Sequence, residues 1–576
     1  MITIVESRPI KMPGLSSLKV SFSYNKTTVD TIKSANVCAK YHEKEKLWEV
    51  PCCYLTRLLD ALTFIDDISL TLLKEDRVQT ESMYITPEPP LTEEEVKAFR
   101  FSPFDHQKEA IDYGLTVQKK WLLLDGCGVG KTLEVIGLAE TLKRRGKIDH
   151  CFIICGVNSI KTVWENEIKK FSTETCRIVG KYITKTGTVR YRSIAERAEE
   201  LKNPIEELKN PIDEFFVITN IETLRSEAVI KAISKSKNKF GMIAVDEFHK
   251  CNNSQSDQGA NLLKLKAEYK VAMTGTLITR NAISAYTGLS WIDVDKSTLT
   301  NYRNVFCIYG GESGHQILGQ RNLPLLREEV ESCSLRRTLD QVRKDIPKLT
   351  IIYEPLEMDE AHAKFYQAIR EGVREEADKI ELNIDNLLAL TTRLRQASVL
   401  PSLLTTQDIK STKLERAIDL AHEIIDEGEK VVIFSTYKEP VYKLAELLNE
   451  YSPLINTGDQ DDEIIASNVE KFQTDPNYRV FLATGSKMGV SHTLNAAMHL
   501  IFLDIPWAWS DFDQQYSRVY RVTNDKPAII RVLGCENTID EHVWEIANEK
   551  KDTLDYLVDG KPSPSMLQDL KRIVLG

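Results

Sequence analysis

The chain has 576 residues, 42% of them hydrophobic, which allows several cores, and a length prior indicates about three to four domains. The formal net charge of −10 excludes a protein coated in positive charge, so any contact with nucleic acid must come from a local basic surface. The eleven cysteines contain no Cys-x-x-Cys pair, and residues 1–8 have no apolar core behind a basic flank, so we expect reduced thiols, no zinc site, no secretion and no membrane insertion.

The amino-terminal hundred residues predict a small α+β module. Trp48 lies in a strand-like stretch, and an amphipathic helix pattern follows over Leu55–Phe64. Two interpretations of Trp48 stay open, because a tryptophan can stack on an unpaired base or pack in a core. Its neighbours Leu47 and Val50 favour the core.

From about Val96 to Trp291, short apolar strands alternate with helical segments, a pattern typical of a parallel sheet covered on both faces. The strands are predicted at Trp121–Leu124, Cys151–Cys155, Phe215–Thr219, Met242–Val245 and Tyr269–Met273.

The loop Asp125–Thr132 follows the first of these strands and precedes a helical pattern over Leu133–Leu142. A glycine-rich turn between a strand and a helix lets backbone N–H groups surround a phosphate. The glycines that we expect to do so are Gly126, Gly128 and Gly130.

The last two residues of the same loop are of the types that bind the phosphates and the metal ion of a nucleoside triphosphate. Lys131 would neutralise the β- and γ-phosphates, and the Thr132 hydroxyl would hold Mg²⁺. The strict eight-residue pattern has glycine where this chain has Asp125, so the loop alone is moderately specific.

A second piece of the site follows the predicted strand at Met242–Val245. Asp246 would hold Mg²⁺ through a water, and Glu247 would orient and deprotonate the water that attacks the γ-phosphate. An acidic strand end exposed to solvent is the alternative, and the upstream loop disfavours it.

A second series of strands that alternate with helices begins later in the chain. Its strands are predicted at Lys430–Ser435, Val480–Ala483, His499–Leu503 and Ala528–Val532. Between the two sets, Met358–Ala389 is charged with apolar positions at helical spacing, which predicts a helical extension. A seven-residue repeat, 201–207 followed by 208–214, is too short for a solenoid and predicts a surface insertion.

With the loop and Asp246–Glu247 in place, further motifs from about residue 100 to 560 resemble superfamily 2 helicases, and among them the Snf2-like double-stranded DNA translocases. Gln107 stands where that family has its adenine-side glutamine, so the resemblance implies a base contact. Thr274, Gly275 and Thr276 match motif III, which implies coupling of the ATP site to the DNA track. Two departures are Gly156 in motif Ia and Leu277 after motif III, where the family usually has proline.

Two segments resemble the Snf2-like family in particular and disfavour an RNA helicase. Leu335–Arg337 resembles the segment that leads out of the first lobe, and Leu394–Ala397 resembles the one that leads into the second.

Residues 514–521 resemble motif VI of the family. The resemblance implies that Gln514 contacts the nucleotide and that Arg518 and Arg521 act as arginine fingers, whose guanidinium groups stabilise charge on the γ-phosphate. Motif V, at Met488–Ala497, matches poorly, so no contacts are assigned there.

The resemblance implies an α/β fold with two RecA-like parallel-sheet lobes in tandem, a helical Snf2-type extension and a small α+β N-terminal domain. We expect the N-terminal domain over residues 1–95, lobe 1 over 96–295, the extension over 296–410, lobe 2 over 411–560 and a tail over 561–576.

The N-terminal module is similar, more weakly, to HARP-type annealing helicases and phage branch-migration helicases. The implied function is an ATP- and Mg²⁺-dependent DNA translocase that remodels branched DNA, such as forks or four-way junctions, in replication, recombination or repair. We expect a monomer with duplex and branched DNA as partners, together with replication or recombination proteins, and a location in the cytoplasm of a bacterial or phage-infected cell, or in a eukaryotic nucleus.

Two alternatives stay open. One is a motor of the same family that displaces proteins such as RNA polymerase from duplex DNA, since only the front module distinguishes it. The other is a DNA-binding scaffold with a decayed ATPase, which the departures at Gly156, Leu277 and motif V suggest.

Overall fold

The computed structural model describes residues 2–7, 17–35, 37, 39–52, 55–63, 68–71, 88–156, 158–185, 189–202, 213–235, 240–275, 277, 282–310, 316–343, 347–377, 384–485, 493–507, 509–523, 525–545 and 547. The chain divides into two compact units, residues 1–126 with 130–337 and residues 127–129 with 338–576. Each unit is described by itself.

Within its described residues, the N-terminal module has a five-stranded sheet and two short helices. Its strands are β1 (Ile2–Ser7), β2 (Ser17–Phe22), β3 (Lys40–His42), β4 (Leu47–Pro51) and β5 (Ile68–Thr71). In the sheet they lie side by side in the order β3-β4-β2-β1-β5. The helices are α1 (Lys26–Ser34), which the Asn25 side chain caps by accepting from Thr28 N at 3.1 Å, and α2 (Leu55–Ala61). Trp48 is only 9% exposed and belongs to the module's core, so the core interpretation of this residue is confirmed.

The first parallel sheet has seven strands in the order β16-β6-β13-β12-β7-β11-β8. These strands are β6 (Lys120–Leu123), β7 (His150–Cys155), β8 (Cys176–Ile178), β11 (Phe216–Asn220), β12 (Phe240–Val245), β13 (Tyr269–Met273) and β16 (Ser334–Leu335). Residues 151–155 of the inner strand β7 are all fully buried, because a parallel sheet covered on both faces exposes neither side of its inner strands.

Helices surround this sheet and extend beyond it. They are α3 (Glu93–Lys97), α4 (Asp105–Asp112), α5 (Lys131–Arg144), α6 (Asn158–Phe171), α7 (Ile194–Lys202), α8 (Glu227–Lys235), α9 (Asp257–Leu262), α10 (Ile283–Trp291), α11 (Leu299–Phe306) and α12 (Leu323–Ser332). Two antiparallel hairpins accompany them, β9 (Lys181–Ile183) with β10 (Val189–Tyr191) and β14 (Cys307–Gly310) with β15 (Gln316–Gln320).

The second unit contains a six-stranded parallel sheet in the order β17-β22-β21-β18-β20-β19. These strands are β17 (Leu349–Leu356), β18 (Val431–Ser435), β19 (Leu454–Asn456), β20 (Val480–Thr484), β21 (His499–Phe502) and β22 (Ala528–Cys535). The helices of this unit are α13 (Leu339–Val342), α14 (Glu360–Ala377), α15 (Ile384–Val399), α16 (Thr412–Asp426), α17 (Lys438–Leu447), α18 (Asp462–Thr474) and α19 (Trp509–Tyr516).

The two parallel sheets, one in each unit, confirm the expected fold of two α/β lobes in tandem, and all nine predicted strands of these sheets are present. The segment 296–410, predicted as a helical extension, also supplies strands to both sheets. Ser334–Leu335 pairs with β6 of the first sheet, and Leu349–Leu356 pairs with β22 of the second. The predicted helix over Met358–Ala389 is two helices, α14 and α15, with 378–383 outside the described residues.

None of the helices in the described ranges combines the length and the apolar character that are needed to cross a bilayer.

Candidate nucleotide-binding site

The predicted ATP-site residues of the first unit lie at one edge of its sheet. The phosphate loop follows β6, Asp246 follows β12 and Thr274 follows β13. Because β6, β13 and β12 are parallel neighbours, their carboxyl ends meet at the same edge, where ligands bind in open α/β sheets.

The phosphate loop has the backbone that an anion cradle requires. Gly128 and Gly130 have φ angles of +79° and +111°, a region that favours glycine. Helix α5 begins at Lys131, directly after Gly130, and no side chain caps it. Its first N–H groups and the positive end of its dipole therefore suit a phosphate.

The Lys131 side chain contacts the backbone of the phosphate loop to which it belongs. Its Nζ donates to the carbonyl oxygens of Asp125 at 2.8 Å and Gly126 at 3.1 Å. The ammonium group thus supports the loop, and a bound phosphate would have to replace carbonyl oxygens as its partner.

Gln107 connects helix α4 to the phosphate loop. It is 2% exposed, its Oε1 accepts from Phe104 N at 3.0 Å, and its Nε2 lies 3.5 Å from Gly130 O. A Cβ added to Gly130 would lie 2.5 Å from this Nε2, so the Gln107 amide would have to move, and the φ of Gly130 itself favours glycine there. The contact of Gln107 with an adenine base stays a prediction.

Asp246 is held by two donors. Its Oδ1 accepts from the Glu247 N–H at 2.9 Å, and its Oδ2 accepts from Trp164 Nε1 at 2.9 Å. Burial, and then the neighbouring Glu247 carboxylate, raise the pKa of Asp246. Trp164 lies in the segment that resembles motif Ia, but its contact with Asp246 was not predicted, because 82 positions separate the two residues.

The residues present fit the predicted Mg²⁺. Oxygen donors suit this ion, and Asp246 and Thr132 supply a carboxylate and a hydroxyl. A cation beside Asp246 would also relieve the repulsion from Glu247 that raises the pKa of Asp246. Among the described residues, no group of three or more His, Cys, Asp or Glu side chains could hold a metal.

His249 connects the Asp246–Glu247 pair, which we call motif II, to motif III. Its Nδ1 lies 3.3 Å from Glu247 Oε2 and 3.2 Å from Thr274 Oγ1. Glu247 itself has a φ of +51°, an uncommon conformation for a residue with a side chain, which the surrounding contacts must hold. His249 thus links the Glu247 carboxylate to the predicted coupling residue Thr274, which Gly275 follows in the chain, whereas Thr276 lies outside the described residues.

Beneath the loop, Arg337 forms a buried ion pair with Asp125. Its Nη2 lies 2.5 Å from Asp125 Oδ2, and its backbone N donates to Asp125 Oδ1 at 2.9 Å. The same guanidinium contacts Glu134 at 3.0 Å and Glu109 at 3.1 Å. Burial, and then the nearby Asp125, raise the pKa of Glu134. The Arg337 carbonyl also accepts from Gly126 N at 2.8 Å, so this residue shapes the loop from below.

The sequence contained a signal for this pair that the sequence analysis did not use. Asp125 breaks the glycine pattern directly after a buried strand, and a buried carboxylate requires a cationic partner. The Arg336–Arg337 segment supplies that cation.

In the second unit, motif VI begins in the last turn of helix α19 and continues beyond the end of the helix at Tyr516. Arg518 is 9% exposed, and its carbonyl accepts from Leu494 N at 2.8 Å. Gln515 lies against Gly485, where an added Cβ would be 2.5 Å from its Oε1. Motif VI therefore packs beside the end of β20 and the described part of motif V. The nucleotide contacts of Gln514, Arg518 and Arg521 stay predictions, and residues 486–492 of motif V lie outside the described residues.

The segment that leads into the second sheet is held by buried charge. Arg395 Nη2 lies 3.3 Å from Asp504 Oδ2, and the guanidinium is 5.3 Å from the centroid of the Trp507 ring. Asp504 also accepts from Ser435 Oγ at 2.7 Å. Arg395 thus joins α15 to the ends of two strands.

Comparison with known proteins agrees with this site. The SNF2-related domain family matches residues 106–403, and the helicase conserved C-terminal domain family matches residues 412–523. An uncharacterised ATP-dependent helicase of Mycoplasma pneumoniae is 27% identical over 78% of this chain and 41% of its own length. The DNA annealing helicase and endonuclease ZRANB3 of Bos taurus is 21% identical over 79% of this chain and 40% of its own length. This chain therefore spans about two fifths of the length of these curated relatives.

Among solved structures, the SWI2/SNF2 ATPase core of Sulfolobus solfataricus in complex with double-stranded DNA is 18% identical, with a TM-score of 0.36, over 82% of this chain and 97% of that one. The SNF2-related match by itself covers more than half of the 576 residues, so the chain belongs to the SNF2-related family, with a helicase C-terminal domain following the SNF2-related domain.

Proposed function

We propose that this protein hydrolyses ATP to move along double-stranded DNA and that it remodels branched DNA by branch migration, fork regression or annealing. The observation that carries the proposal is the single sheet edge that holds the phosphate loop, Asp246, Glu247 and Thr274 in a member of the SNF2-related family. The relative ZRANB3 is named as a DNA annealing helicase, which supports the branched-DNA part of the proposal.

Each residue has a defined task in the proposed hydrolysis. Lys131 and the N–H groups at the start of α5 bind the β- and γ-phosphates. Thr132 and Asp246 would hold Mg²⁺, which when bound neutralises charge on these phosphates. Glu247 orients the attacking water and accepts its proton. Arg518 and Arg521 stabilise the charge that spreads over the γ-phosphate oxygens during transfer.

Coupling to DNA would use the contact between motifs II and III. His249 touches both the Glu247 carboxylate and the Thr274 hydroxyl, so a movement of motif III changes the position of the catalytic base. A change of less than about 1 Å in such a position has a large effect on rate. This contact supports a DNA-stimulated ATPase over a decayed scaffold.

ATP hydrolysis in the presence of different nucleic acids tests the proposal. The purified protein is assayed with single-stranded DNA, linear duplex, a fork, a four-way junction and RNA, and Lys131→Ala is the blank. We expect the fork or junction to stimulate hydrolysis most. Equal stimulation by plain duplex would favour a motor that displaces proteins, and no stimulation by any DNA would favour the scaffold.

Arg521→Ala is expected to lower the hydrolysis rate by about 10²-fold, the typical effect of removing one preorganised donor to a developing charge. ATP binding should stay largely intact, because the guanidinium acts on charge that develops only during transfer. Fluorescent-nucleotide titration and phosphate release measure the two quantities. The exposed Arg327→Ala is the matched control, and unchanged turnover in Arg521→Ala would remove the finger role.

A further inference from the structure

The hairpin of β9 and β10 extends from the nucleotide-binding edge of the first sheet. It begins at Lys181, shortly after β8 ends at Ile178. β8 is parallel to β11, and the parallel order continues through β7 to β12, which precedes Asp246. The hairpin therefore leaves the sheet at the same edge as the predicted ATP-site residues.

The two faces of the hairpin have different surroundings. Its register places Tyr191 opposite Lys181 on one face and Arg190 opposite Tyr182 on the other. On the first face, the buried Lys161 Nζ lies 4.2 Å from the centroid of the Tyr191 ring, and Lys181 pairs with Glu165 at 2.5 Å.

Both of those partners belong to helix α6, which also carries the Trp164 that donates to Asp246. The inner face is thus attached to the helix that positions Asp246. We call the opposite face, which carries Tyr182 and Arg190, the outer face.

The outer face combines an aromatic ring with positive charge. Tyr182 and Tyr191 are both 39% exposed, but Lys161 lies over the Tyr191 ring, whereas Tyr182 lies opposite Arg190, which is also exposed. The segment 181–192 has four basic residues and no acidic one, in a chain with a net charge of −10. Lys181 and Arg192 have acidic partners, Glu165 and Glu200, whereas Arg190 has no ion pair among the described residues.

We propose that this outer face binds DNA where a strand leaves the duplex, with Arg190 paired to a phosphate and Tyr182 stacked on an unpaired base. The inference rests on the proposed function and adds an element that would recognise the branch. Cations that neutralise phosphates release counterions, and aromatic rings stack on any base that is not paired. An exposed tyrosine opposite an exposed arginine on a short ribbon supplies both contacts.

Binding of the full chain to a labelled fork and to a blunt duplex of equal length, without ATP, tests this proposal. Tyr182→Ala should weaken fork binding about tenfold, within the range expected for one stacked base, and leave duplex binding within about twofold. Arg190→Ala should weaken binding to both DNAs and reduce the slope of log K against log salt by about 1. Fluorescence anisotropy at several salt concentrations measures these changes.

Tyr309→Ala is the matched control, because Tyr309 is 37% exposed on another hairpin of the same unit, β14 with β15. It should bind both DNAs like the wild type. Hydrolysis without DNA should be unchanged in all three variants, which shows that the nucleotide site is folded.

The outcomes separate the two proposals. Wild-type binding of the fork by both Tyr182→Ala and Arg190→Ala would overturn the hairpin proposal, and an equal loss with fork and duplex in Tyr182→Ala would overturn the stacking. Failure of every DNA to stimulate wild-type hydrolysis would overturn the motor function alone, because the binding measurements do not depend on ATP.

Discussion

Glu247→Gln is expected to lower the rate of ATP hydrolysis by about 10²- to 10⁴-fold, the usual contribution of a positioned general base. The amide keeps the size of the carboxylate but cannot accept the proton of the attacking water. Nucleotide affinity should change little, because the phosphates are held by the loop at residues 125–132. Phosphate release under saturating DNA and titration of a fluorescent ATP analogue measure the two effects.

Two comparisons sharpen this experiment. Lys131→Ala should abolish turnover through weaker phosphate binding, so affinity and rate should fall together in that variant and separate in Glu247→Gln. Glu268→Gln, at an exposed carboxylate paired with Lys119, should hydrolyse ATP at the wild-type rate. A Glu247→Gln variant with wild-type hydrolysis would show that the assignment of the catalytic base is wrong.

Arg337→Ala is expected to reduce the free energy of unfolding of the first unit by about 3–5 kcal/mol, the usual cost of removing one partner of a buried ion pair. The reason is that Asp125, which is fully buried, would lose its guanidinium partner, and Glu134 would lose a contact at 3.0 Å. Because the Arg337 side chain holds Asp125, the first residue of the loop, the loop should also bind ATP more weakly in this variant.

Urea-induced unfolding of the full chain, with and without ATP, measures this loss, and the two units are fitted as separate transitions. The double variant Asp125→Asn with Arg337→Met should recover much of the stability, because it removes the buried Asp125 carboxylate together with its guanidinium partner, while burial raises the pKa of the remaining Glu134 and favours its neutral form. Arg327→Ala, which breaks an exposed pair with Glu331, should cost no more than about 0.5 kcal/mol. Stability of Arg337→Ala equal to that of the wild type would contradict the role of this ion pair.

The strands and the helix that carry the predicted site residues lie where local sequence order predicted them. A strand, a glycine turn and a helix follow one another within residues 120–144, and a buried strand runs directly into Asp246. Runs of apolar residues identify inner strands of a parallel sheet, because both faces of such strands are buried. For the same reason β13 was predicted with the bounds that the structure has, Tyr269–Met273.

The side-chain contacts that hold the predicted site residues in place could not be predicted from local sequence order. Trp164 and Asp246 are 82 positions apart, and Arg337 and Asp125 are 212 positions apart. Hydrophobic periodicity reports which face of an element is buried, but it does not report which distant side chain completes a hydrogen bond or an ion pair. His249 was visible beside Glu247, yet only packing of β12 beside β13 brings it to Thr274.

The sequence by itself determined the order of the chemical groups, because phosphate loop, carboxylates and arginines each depend on a short stretch of chain. Tertiary structure decided how those groups are held. It pairs β17 with β22 inside a segment that the sequence predicted as helical, and it gives the hairpin at 181–191 an inner face on α6 and an outer face with Tyr182 and Arg190. Such pairings depend on residues far apart in the chain, whose contacts form only when the sheets assemble.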